Sequence, residues 1–223
     1  MTDKRRALQL FVRNPVEGAV KTRLVATIGA AAATAVYRRL LTHALDTAAA
    51  LPDTRVTAWV DRLPVEPTLR SQISARRCDT ATLCTGDLGR RMRHALDAGL
   101  ADAEHVVLIG SDCPGYSAAY LEQAFKALFD CDVVLGPATD GGYVLIGARC
   151  SCPEVFDAMP WGTSAVLDAT RARLQALSLS YAELPTLRDL DDAADLRHFP
   201  DYLATAHRAE DNRSAAGSPA RLE

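Results

Sequence analysis

The sequence predicts an α/β domain built on a mostly parallel central sheet with helices on both faces. Three observations predict it. Short apolar runs of strand length alternate with longer stretches of helical period through most of the chain. The clearest run, "HVVLI" (105–109), is apolar at successive positions, as a strand buried on both faces is. No internal repeat and no Gly/Ser/Pro-rich linker divides the 223 residues, so one domain is expected over 1–208.

"ALQLFV" (7–12) reads as the first strand, followed by a Gly/Pro loop. The run from Gly29 reads as a long helix ending at Pro52. "TRVTAWVD" (54–61) has the β-branched and aromatic content of a second strand, and "EPTLRSQISA" (66–75) reads as a short helix. A third strand is expected at 80–86 and a helix entered through Asp87 at 87–103. After the 105–109 strand, Ser117 is the expected cap of a helix over 117–130. "CDVVLGPATDGGYVLIGAR" (131–149) reads as two strands around a turn. A helix over 161–177 has Thr163 or Ser164 as its expected cap. A last strand is expected at 178–185 and one final helix at 190–208. The tail 209–223 has almost no large apolar residue and is expected to be disordered.

Composition narrows the function. A formal net charge of −3 argues against a nucleic-acid binder with a broad basic surface, yet leaves room for a local basic pocket. The N-terminal apolar run is too short for a signal-peptide core, and no run reaches membrane-spanning length, so no membrane partner and a cytoplasmic location are expected. Six cysteines lack any zinc spacing and are expected to be free thiols, several of them buried. The five histidines have no ligand spacing, and no Ser-His-Asp order suggests a hydrolase.

In open α/β sheets ligands bind beyond the carboxyl ends of the strands, so each loop that follows a strand is a candidate. The 105–109 strand runs through Gly110 and Ser111 to Asp112. A carboxylate there is costly to desolvate without a cation, and a divalent metal or a helix-capping bond would each answer that cost. "LRDLDDAADL" offers Asp189 and Asp191, two apart on an extended segment and so on one side of it, while Asp192 fits the cap of the final helix. Asp112 with one of that pair could hold one Mg²⁺ or Mn²⁺ together with phosphates and water. The opening loop "NPVEGAVKTRL" supplies Gly18, Lys21 and Arg23, either a solvated turn or a phosphate pocket with a point charge and a bidentate guanidinium. Asp140, followed by Gly141, Gly142 and Tyr143, marks either a tight hairpin or an acceptor site with a carboxylate for its hydroxyls. Trp161 could pack on substrate or on the core. Gly86 and Asp87 are candidates for base or ribose contact, whereas Arg90, Arg91 and Arg93 read as a solvated helix face.

In this order, "PVEGAVKTRL", "GDLGRRM", "LIGSDCPG", "GPATDGGYVLIG", "PWGTS" and "LRDLDDAADL" resemble a family of small GT-A-fold glycosyltransferase-like proteins. That family was long catalogued as a domain of unknown function, with some members named for arsenosugar biosynthesis. The resemblance covers about residues 7 to 200. The same signature is similar to 2-phospho-lactate guanylyltransferase and the molybdenum-cofactor guanylyltransferase. It implies a single GT-A, Rossmann-type domain, with Lys21 and Arg23 on nucleotide phosphates and Asp112 on the metal. The opening loop departs from the guanylyltransferases in having only Gly18, which fits a diphosphate-sugar donor better than a triphosphate, and in Asn14, where a small residue is expected. Three functions follow as expectations. One is a metal-dependent glycosyltransferase, in which Asp112, Arg23 and Asp140 carry the chemistry and a nucleotide sugar meets a small acceptor. Another is a nucleotidyltransferase moving NMP from an NTP to a phosphorylated acceptor. The last is a non-catalytic nucleotide-binding domain.

Overall fold

A computed structural model describes residues 6–216, with side chains as far as residue 209. Seven strands form one sheet: β1 (Arg6–Val12), β2 (Thr54–Val60), β3 (Asp79–Thr82), β4 (His105–Ile109), β5 (Val133–Pro137), β6 (Tyr143–Ala148) and β7 (Tyr181–Glu183). Their spatial order is β3-β2-β1-β4-β6-β5-β7. Pairings are parallel except along both edges of β6, which runs against β4 and β5. The mostly parallel sheet expected from the sequence is the sheet observed.

The period of two along the strands fills two cores. Leu8, Leu10, Val12, Val107 and Ile109 face one side, where α1 (Thr22–Ala49), α2 (Pro67–Ala75) and α4 (Ala118–Ala127) pack. Ala7, Val106 and Leu108 face the other, under α3 (Leu88–Leu100), a 3-10 turn (Pro153–Phe156) and α5 (Val166–Ala176). Each buried Leu or Val removed from water contributes roughly 1.5–3 kcal/mol, so the two-sided burial of β4 makes it the anchor of the sheet. Trp59 adds a polar tie in the second core, donating its indole N–H to Gln9 Oε1 at 2.6 Å.

A third cluster joins the chain ends. Leu24, Val36 and Leu40 of α1 pack against Leu190, Leu196 of α6 (Ala193–Leu196) and Tyr202 of α7 (Pro200–Ala216). It fixes the opening loop beside the loop that precedes α6.

Several expectations are corrected. Helix α1 begins at Thr22 rather than Gly29, and Gly29 interrupts it with φ 72° and ψ 163°, a conformation open essentially to glycine alone. The same helix contains an 18-residue window of mean hydropathy 1.3, long and apolar enough by composition to cross a bilayer. Half of that window is buried between the first and third clusters, as in a core helix. The final helix is two helices: Asp192 caps α6 in a reciprocal capping box with Asp195, and Pro200 opens α7. Helix α7 continues to Ala216, so the boundary expected at 208 falls inside it, and 217–223 lie outside the described residues. The N-cap of α5 is Ala165, and Thr163 instead accepts from its N–H at 3.3 Å. The expected caps Asp87 of α3 and Ser117 of α4 are both in place. All six cysteines are free, with Cys113, Cys131 and Cys152 buried.

Candidate functional site

The strand order reverses between β1 and β4, and the two parallel strands end side by side at the same end of the sheet. Arg13 and Asn14 follow β1; Gly110, Ser111 and Asp112 follow β4. Tyr37 of α1, only 2% exposed, ties the two exits together. Its hydroxyl accepts from the Arg13 N–H at 2.8 Å, lies 3.2 Å from the Arg13 carbonyl and 3.2 Å from Ser111 Oγ. Burial pushes the Tyr37 phenol well above its ordinary range, so it remains a neutral hydroxyl. Asn14 is not a small residue because it is a hub. Its side chain donates to the Arg62 and Pro64 carbonyls and accepts from Glu66 N–H at 2.8 Å, while its own N–H donates to Asp61. This holds the opening loop against the loop after β2.

The loop between β7 and α6 is laced to the same end. Leu187 N–H donates to the Pro137 carbonyl, and Leu190 N–H donates to the Asp112 carbonyl at 2.9 Å. Leu190 is fully buried in the third cluster, and its neighbour Asp191 reaches Lys21 of the opening loop.

Lys21 stands where these segments meet. It precedes α1 in a left-handed conformation, φ 47° and ψ 45°. Its Nζ lies 2.8 Å from Asp112 Oδ1 and 2.9 Å from Asp191 Oδ1, with the side chain 5% exposed and the two carboxylates roughly half exposed. Burial works to lower the ammonium pKa, and the two carboxylates outweigh it, so the net direction is upward and Lys21 stays charged at neutral pH. Arg23 is peripheral: 75% exposed and 3.9 Å from Asp191. Asp189 has its carboxyl pushed up to about 6, first by burial and then by the charges of Asp191 and Asp140. Negative charge therefore exceeds what Lys21 neutralises.

A cleft of two lobes opens over this cluster. The larger, about 340 Å³, is walled by Phe11, Leu83, Leu88, Met92 and Tyr143 and edged by Asp61, Arg91, Asp112 and Asp189. The smaller, about 290 Å³, is polar, with Arg13, Lys21, Arg23, Asp112 and Asp191 around it. An apolar slot beside a charged one suits an amphipathic ligand with an anionic end.

The candidates divide accordingly. Asp112, Ser111, Lys21, Arg23, Asp189, Asp191 and Tyr143 line the cleft; Asp189 edges the larger lobe and Asp191 the smaller. Asp140 is exposed at the hairpin turn, where its Oδ1 accepts from Gly142 N–H at 2.9 Å, and its charge reaches Asp189. Gly141, with φ 90°, has a structural reason: a Cβ there would collide with the Ser164 carbonyl. Gly18, Gly86 and Asp87 line neither lobe, and Asp87 spends Oδ1 on the Arg90 N–H. Trp161 packs on Gly89 as part of the second core. Sequence reasoning passed over Arg13 and Asp61 and assigned Arg91 to a solvated face, although Arg91 borders the larger lobe with a buried Nε. Position directly after β1 and β2 was the available signal for the first two.

Among the described residues no cluster of three His, Cys, Asp or Glu side chains is arranged for a metal. What converges is two carboxylates, with Lys21 at their meeting point. Two hard oxygen donors fit Mg²⁺ or Mn²⁺ when substrate phosphates and water complete the shell, and do not form a closed protein cage.

A family profile described as an uncharacterized protein conserved in bacteria (DUF2064) matches residues 43–163. A protein of Desulfovibrio desulfuricans G20, assigned as a nucleotide-diphospho-sugar transferase, is 33% identical, with 86% of this chain and 85% of that one covered at a TM-score of 0.78. Glucosyl-3-phosphoglycerate synthase of Mycobacterium tuberculosis, solved with Mn²⁺, UDP and glucosyl-3-phosphoglycerate, is 11% identical over 93% of this chain and 80% of its own, TM-score 0.56. A cytidylyltransferase of Leptospira borgpetersenii serovar Hardjo-bovis is 11% identical over 99% and 100%, TM-score 0.60. The last two are likenesses of fold alone. No curated protein matches the chain.

Proposed function

This chain belongs to the DUF2064 family and has a GT-A-like, nucleotide-diphospho-sugar-transferase fold, and on that premise we propose that it transfers a sugar from a nucleotide-diphosphate sugar to a small acceptor. The observation that carries the reading is the convergence of Asp112 and Asp191, from two separate segments, on one cationic point beside the two-lobed cleft. The 33% identical relative carries the name of a nucleotide-diphospho-sugar transferase, which supports the same donor class.

In this account the nucleoside lies in the larger lobe and the diphosphate in the smaller. Asp112 and Asp191 would hold a Mg²⁺ or Mn²⁺, which would supply positive charge against the charge growing on the leaving diphosphate. Lys21 turns from the carboxylates to the phosphates, and Arg23 adds a guanidinium at the rim. Asp140, exposed at the hairpin with its charge reaching Asp189, takes the proton of an acceptor hydroxyl as that oxygen bonds to the anomeric carbon and the bond from that carbon to the leaving diphosphate breaks.

Nucleotidyl transfer is the second reading, since the same fold also houses a cytidylyltransferase. A direct assay separates the two. With Mn²⁺ and no acceptor, slow release of UDP or GDP from one nucleotide sugar is the expected result. Pyrophosphate release from one NTP in the presence of a sugar phosphate would favour the second reading. Binding of nucleotides without turnover of any would leave a non-catalytic domain.

A further inference from the structure

We propose that Arg13 is the residue that grips the donor's first phosphate, at the crossing between the two lobes of the cleft. The inference rests on the donor class proposed above and adds a residue that neither the opening-loop motif nor its resemblance singles out.

Three observations carry it. Arg13 and Asp112 are the two residues that border both lobes, so a ligand with its nucleoside in one lobe and its diphosphate in the other passes between them. The Arg13 main chain is fixed at both its N–H and its carbonyl by the buried Tyr37 hydroxyl. Its guanidinium, on an exposed side chain, makes no ion pair or hydrogen bond with any described side chain, whereas Lys21 is taken by Asp112 and Asp191, and Arg23 lies 3.9 Å from Asp191 and borders the smaller lobe alone. A preset backbone with an uncommitted planar guanidinium, on a residue that shares both lobes with Asp112, is suited to a phosphate, which it can grip through two parallel N–H bonds. Lys21 must break two ion pairs to do the same.

The test titrates the full chain with uridine, UMP and UDP, and with guanosine, GMP and GDP, in Mn²⁺, by calorimetry. In the base series that binds, Arg13→Ala is expected to weaken the mono- and diphosphate about 10- to 100-fold, the loss expected for hydrogen bonds to a charged group. The nucleoside is expected to bind as before, and Arg13→Lys to recover part of the phosphate affinity. Equal affinity of Arg13→Ala and the unaltered chain for the phosphorylated ligands would overturn the assignment while leaving the proposed function standing. An equal loss for the nucleoside would also overturn it, since it would show a role in shaping the lobe. Failure of the unaltered chain to bind any of the six would overturn the proposed donor class and this inference together.

Discussion

Asp112→Asn is expected to lower metal-dependent turnover by about a thousandfold or more while the protein stays folded. Loss of the several kcal/mol of charge stabilisation that a bound metal supplies gives a factor of that size. The fold survives because the Asp112 side chain is roughly half exposed, and the bond that anchors the neighbouring loop, Leu190 N–H to the Asp112 carbonyl, is made by the main chain. Asn keeps the shape and one oxygen and removes the charge. Initial rates of nucleoside diphosphate release at saturating Mn²⁺, with melting curves beside them, read both halves of the prediction. Turnover within a few-fold of the original would sink the role given to Asp112.

Lys21→Ala is expected to act in two opposite directions. The ammonium sits at 2.8 and 2.9 Å from two carboxylates, the point a divalent cation would share. Its removal leaves Asp112 and Asp191 uncompensated, with Asp189 already crowded by charge. Mn²⁺ without nucleotide should therefore bind more tightly, by about tenfold or more for the loss of one competing unit charge at close range. Donor affinity should fall by about tenfold in the same variant, because a cation that reaches the phosphates is gone. Manganese titration followed by electron paramagnetic resonance measures the first effect, and calorimetry with the nucleotide the second. Unchanged manganese affinity would contradict the view that Lys21 holds the cation position in the ligand-free protein.

The order of strands and helices was legible because local pattern carries it. "HVVLI" is apolar on both faces, Asp87 and Ser117 announce their helices, and Asp192 its cap. The start of α1 was not legible, because Gly29 reads as a boundary when it is a break between two helical stretches. The split between α6 and α7 had a sequence signal in Pro200 that the helical period around it masked. That Asp112 and the 189–191 loop lie at the strand ends, where they border the cleft, could be read from strand-end position and acidic spacing. The Lys21–Asp191 pair could not, since it spans 170 positions and exists only because the third cluster packs α1 against α6 and α7. Arg13 and Arg91 look like ordinary surface arginines until the strand order brings them to one cleft. Trp161 has the composition of a ligand platform, and only packing shows its ring on Gly89.

The most direct test of the shared cation is the anomalous signal of manganese in crystals grown with Mn²⁺ and the nucleoside diphosphate that binds. The account predicts one peak within coordinating distance of both Asp112 and Asp191, with Lys21 turned onto the phosphates. Manganese bound elsewhere, or a diphosphate seated with Lys21 still bridging the two carboxylates, would contradict it.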